Sequence, residues 1–102
     1  MVHVTIDRRE IEAFCLRWQI SELALFGSVL REDFRADSDV DVLVTFSPEA
    51  RHGLLDLSRM EDELSGILGR KADLVERAAL EQSRNYIRRA AVLGSMETIY
   101  AA

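Results

Sequence analysis

The sequence predicts an α/β fold of the α+β kind, with a small mixed three-stranded sheet packed on about four helices. Three observations lead there. The 102 residues suffice for one hydrophobic core, so residues 1–102 are read as one domain. Long stretches with apolar residues at helical spacing alternate with short apolar or β-branched runs. No repeat, low-complexity tract or linker-like segment interrupts the alternation.

Asp7 with Glu10 three residues later resembles a capping box, and Ile11, Phe14, Cys15 and Trp18 recur at helical spacing, which predicts a helix over 8–19. Cys15, Phe14 and Trp18 are therefore expected in the core. Leu23 to Phe26 is a short apolar run stopped by Gly27-Ser28 and reads as a buried strand, followed by a short helix to about Phe34. Asp39-Val-Asp-Val-Leu-Val-Thr-Phe46 is the clearest strand, ended by Ser47-Pro48. A helix from Leu54 runs through Leu57, Met60, Leu64, Ile67 and Leu68, with Gly69 as its C-terminal cap. Lys71 to Glu76 reads as a third strand. A last helix is expected over 84–100, with Val92, Met96, Ile99 and Tyr100 on one side.

Composition removes several function classes. With 48% hydrophobic and 30% charged residues and one proline, the chain is neither collagen-like nor largely disordered. Thirteen basic against eighteen acidic residues leave a net charge of -5, so no general basic surface exists for stable nucleic-acid binding. A single cysteine excludes an internal disulfide and a multi-thiolate zinc site. The apolar runs fall far below the roughly 20 residues of a spanning helix, and no export signal opens the chain, so a cytoplasmic protein without membrane attachment is expected.

The chemistry lies in the carboxylates. Side chains two apart on a strand share a face, which sets Asp39 and Asp41 side by side. Two like charges that close call for a proton or a cation, and Mg²⁺ combines one or two carboxylates with substrate phosphates. Asp73, amid Ala72, Leu74 and Val75, supplies a third carboxylate if its strand pairs beside the second. Gly27-Ser28 sits where a strand gives way to a helix, a place where backbone amides favour an anion. An antiparallel return over the ten residues between Ser28 and Asp39 brings this phosphate seat to the carboxylates. Taken singly, Gly-Ser is a turn and Asp-x-Asp a solvated strand end; it is their order that points to a site. A calcium loop is excluded, because Val42 stands where that loop needs glycine and Pro48 where it needs glutamate.

Gly27-Ser28, ten residues and Asp39-Val40-Asp41 resemble the nucleotidyltransferase superfamily that includes DNA polymerase beta and kanamycin nucleotidyltransferase. Leu25-Phe-Gly-Ser-Val-Leu-Arg31, Asp37-Ser-Asp-Val-Asp-Val-Leu-Val44, Gly53-Leu-Leu-Asp-Leu57 and Leu68-Gly-Arg-Lys-Ala-Asp-Leu-Val75 resemble more narrowly the minimal nucleotidyltransferases, MNT or MntA, many of them antitoxins of HEPN/MNT toxin–antitoxin pairs of type VII. The resemblance covers nearly the whole chain. It implies transfer of AMP from ATP to a tyrosine hydroxyl of a HEPN toxin partner. Gly27 and Ser28 would then hold the triphosphate, Arg31 would steady a phosphate, and Asp39 and Asp41 would bind two Mg²⁺ ions. Asp73 would complete the metal site and accept the proton of the incoming hydroxyl. Glu32 stands where many relatives carry glycine.

Two other readings compete: an antitoxin that only masks its toxin, and transfer to a small molecule such as an aminoglycoside. Retention of Ser28, Asp39, Asp41 and Asp73 disfavours the first, and the short chain disfavours the second. His3 and His52 are read as surface residues, and Arg70-Lys71 and Arg84, Arg88 and Arg89 as local basic spots that could meet phosphates or a partner, with a solvated face favoured. Exposed apolar surface left by so small a sheet is compatible with homo- or hetero-oligomers.

Overall fold

The computed structural model describes residues 6–27 and 39–102. Within them the chain runs α1 (Arg8–Arg17), β1 (Ile20–Phe26), β2 (Val40–Phe46), α2 (Leu54–Leu68), β3 (Ala72–Glu76), α3 (Arg77–Glu81), α4 (Tyr86–Ser95) and β4 (Glu97–Ala101). The short helix expected before Phe34 lies outside the described residues, as does His3. The α+β class holds, but among the described residues the sheet has four strands, in the order β3-β2-β1-β4, rather than three. β1 is antiparallel to both β2 and β4, and β2 and β3 are parallel. The extra strand comes from the end of the expected last helix. That helix stops at Ser95, Met96 is extended, and Glu97–Ala101 joins β1.

The α1 start is as expected: the Asp7 carboxylate accepts the N–H groups of Arg9 and Glu10 at 3.0 and 3.3 Å. Ile11, Phe14 and Cys15 are buried along its inner face. Burial pushes the Cys15 thiol up to about 12, so it is a core side chain and no nucleophile. α2 presents Met60, Leu64 and Leu68 at four-residue intervals to the same core, and Gly69, at φ 72°, ends it in the left-handed conformation. Val40, Val42 and Val44 meet these helices from the sheet. Phe26, Ala24 and Leu43 face the other way and are covered by Leu80 of α3 and Val92 of α4.

The exposed edge of β3 is closed by side chains of α2. Ser65 Oγ accepts the Ala72 N–H at 2.9 Å, and the Glu61 carboxylate accepts the Leu74 N–H at 2.8 Å. The expectation for His52 fails. Its side chain is only 13% exposed, its Nε2 lies 2.7 Å from the Trp18 carbonyl oxygen, and its ring packs on Trp18 and Phe46. Trp18 itself is half-buried against the larger core, where its indole N–H donates to Glu63.

Candidate active site

Parity along β2 decides which residues share the site. Val40, Val42 and Val44 point into the larger core, so Asp39, Asp41 and Leu43 look to the opposite face. The parallel register pairs Asp41 with Asp73, which puts these two carboxylates on the same face of neighbouring strands. Asp39 is drawn in as well, since it lies close enough for its side chain to act on the carboxyl of Asp73. Partial burial pushes the Asp73 carboxyl above its ordinary range, and the neighbouring carboxylate of Asp39 pushes it further. Lys71 acts in the opposite direction; its Nζ is 4.0 Å from Asp39 Oδ2.

Gly27 completes the described part. It follows Phe26, the register partner of Asp41, and takes a φ of 77°. A Cβ at this position would lie 2.5 Å from Asp41 Oδ2, so the close approach of the bend to the carboxylate needs glycine. The structure therefore gathers Gly27, Asp39, Asp41 and Asp73 at one end of the sheet. Ser28 and Arg31 lie outside the described residues.

Among the described residues, no three His, Cys, Asp or Glu side chains gather closely enough to hold one metal ion. The three aspartates share a face without closing on a common point. Their donor chemistry nevertheless fits a hard divalent cation. Mg²⁺ needs only one or two carboxylates beside phosphate and water oxygens, and an acid pair burdened by mutual repulsion is relieved by such a charge.

The shape of the surface points elsewhere. A cavity of about 300 Å³ opens beside Phe46, His52, Glu76 and Arg77, at the far ends of β2 and β3 from Asp41 and Asp73. Its arginine is already engaged, with Nη1 2.9 Å from Glu22 and Nε 3.8 Å from Glu81. Register and carboxylate chemistry, rather than depth, mark the candidate active site.

Residues 8–94 match the family model of the nucleotidyltransferase domain. The chain belongs to this family. The nucleotidyltransferase is 38% identical over 78 residues to the protein adenylyltransferase MntA of Thermococcus cleftensis, a match covering 76% of this chain and 74% of that protein. It thus stands among the MntA-type minimal nucleotidyltransferases. Its fold is that of a chain in a toxin–antitoxin crystal structure with AMP-PNP, at a TM-score of 0.69 and 16% identity, over 95% of this chain and 75% of that one. A second likeness is to the structure of a tri-AMPylated Shewanella oneidensis HEPN toxin in complex with MNT antitoxin. There the TM-score is 0.61 at 15% identity, over 93% of this chain and 70% of that one. Among the described residues, no helix of the nucleotidyltransferase is long and apolar enough to cross a membrane.

Proposed function

We propose that this nucleotidyltransferase transfers AMP from ATP to a tyrosine hydroxyl of a HEPN toxin and, as the toxin's cytoplasmic antitoxin, inactivates it. The observation that carries this is the juxtaposition of Asp41 and Asp73 on adjacent parallel strands, with Asp39 on the same face beside them and Gly27 against Asp41. The name of the Thermococcus relative as a protein adenylyltransferase supports the reaction class. Structural neighbours with AMP-PNP and with an AMPylated HEPN toxin support the donor and the partner.

In this reading residues 1–102 form a single minimal nucleotidyltransferase domain. Gly27 and Ser28 seat the triphosphate at the bend after β1, and Arg31 steadies a phosphate. Asp39 and Asp41 would hold Mg²⁺, and Asp73, on the same face, would complete the ligand set across the two ions. Bound there, Mg²⁺ (two ions) would supply positive charge at the α-phosphate and at the leaving oxygens. Asp73, whose carboxylate is made more basic than usual by partial burial and by the neighbouring Asp39, accepts the proton of the incoming hydroxyl. The hydroxyl oxygen bonds to the α-phosphorus, the bond from that phosphorus to the bridging oxygen breaks, and pyrophosphate leaves.

The test combines purified protein, Mg²⁺, ATP labelled in its α-phosphate, and the product of the neighbouring gene. Label on a tyrosine of that product is expected, with loss of its toxicity. The Asp39→Asn, Asp41→Asn double variant should transfer none. If the double variant still rescues cells from the toxin, masking rather than transfer is the mode of action.

A further inference from the structure

We infer that Lys71 is a phosphate-positioning residue of the nucleotide site, held against Asp39 until a divalent cation takes that carboxylate and then turned toward the triphosphate. The inference rests on the reading of Asp39 and Asp41 as cation-holding residues.

The backbone fixes where Lys71 stands. The Val40 N–H donates to the Lys71 carbonyl at 2.8 Å, so Lys71 enters the sheet beside Asp39, one residue before the paired strands begin. Its ammonium is 4.0 Å from Asp39 Oδ2, and Asp73 feels its charge as well. The acid pair is thus already offset by a cation that belongs to the chain.

The contact is loose. The Lys71 side chain is 73% exposed and that of Asp39 43%, so packing holds neither in place. Arg77 differs: it is 28% exposed and bonded to Glu22 at 2.9 Å, an anchored pair with a structural role. A dication at Asp39 repels an ammonium standing a few ångströms away. The triphosphate that accompanies the cation brings excess negative charge to the same place. Lysine offers a compact positive charge on a flexible four-carbon stem, suited to follow that charge from carboxylate to phosphate.

Two measurements on the purified protein test this, and both read binding rather than turnover. Fluorescence anisotropy follows a labelled, non-hydrolysable ATP analogue with Mg²⁺, and electron paramagnetic resonance follows Mn²⁺ binding without nucleotide. Lys71→Met should bind the Mg²⁺-analogue about tenfold more weakly than wild type, the scale of one charge-assisted contact. The same variant should bind Mn²⁺ alone more tightly, because the tethered competitor at Asp39 is gone. Lys71→Arg should restore analogue binding to within about threefold of wild type, the positive charge being kept. A purely structural lysine does not move the two affinities in opposite directions. The inference is overturned if Lys71→Met binds the analogue within about twofold of wild type, or Mn²⁺ no more tightly. Failure of the wild-type protein to bind the analogue at all would instead overturn the reading of the site, and the inference with it.

Discussion

Gly27 illustrates how a small residue can matter more to chemistry than to stability. At φ 77° any L side chain is strained, at a cost of about 1–2 kcal/mol. The added methyl would also lie 2.5 Å from Asp41 Oδ2. A carboxylate end can rotate away cheaply, but rotation takes Asp41 from where it would hold the cation. Gly27→Ala should therefore lower stability by about 1–2 kcal/mol in urea unfolding, while AMP transfer falls by well over tenfold. Equal retention of both would show that the bend does not serve the carboxylate. The common face of Asp39 and Asp41 was legible because spacing along a strand reports the face each side chain takes, and Asp73 joins them because its strand pairs beside β2. The contact of Lys71 with Asp39 was not legible, because it depends on a parallel register that no local pattern reveals. His52 was missed for a similar reason, since its contacts with Trp18 and Phe46 join distant parts of the sequence.

Among the elements, β3 carries the greatest demand: it is an edge strand and it holds Asp73. Unpaired edge amides invite fraying or pairing with another chain. Here Ser65 and Glu61, one turn apart on α2, take up the N–H groups of Ala72 and Leu74. Ser65→Ala leaves the buried Ala72 amide without that acceptor, at a cost of about 1–3 kcal/mol. Hydrogen exchange should then quicken along β3 more than along β1, and transfer should fall as Asp73 loses its fixed place. Uniform quickening would assign Ser65 to global stability alone. β2 was easily read, since Val40, Val42 and Val44 alternate with the acids. β4 was hidden because Val92, Met96 and Ile99 also fit a helical period. Pairing with β1 decides otherwise, and the β-branched and aromatic residues Thr98, Ile99 and Tyr100 suit it. The five-residue α3 is too short to leave a periodic signal.

The whole molecule divides its labour between the two faces of the sheet. The face under α1 and α2 holds the larger core, with Phe14, Met60 and Leu64 completely buried. The opposite face carries the smaller cluster of Leu43, Leu80 and Val92, and toward its open end the three aspartates. A fold stabilised on one side can tolerate repulsion on the other, and here that repulsion adds to a net charge of -5. A divalent cation that binds the folded carboxylates must then stabilise the chain by mass action. At ten times its dissociation constant the gain is about 1.4 kcal/mol, or about 6–11 °C in Tm for a domain of this size. Thermal melts at constant ionic strength, with Mg²⁺ replacing Na⁺, should show this rise. The Asp39→Asn, Asp41→Asn variant should lack it and, freed of two negative charges beside Asp73, should melt no lower than wild type without Mg²⁺. An equal rise in both proteins would mean that Mg²⁺ only screens the acidic surface, leaving the carboxylate face without a cation of its own.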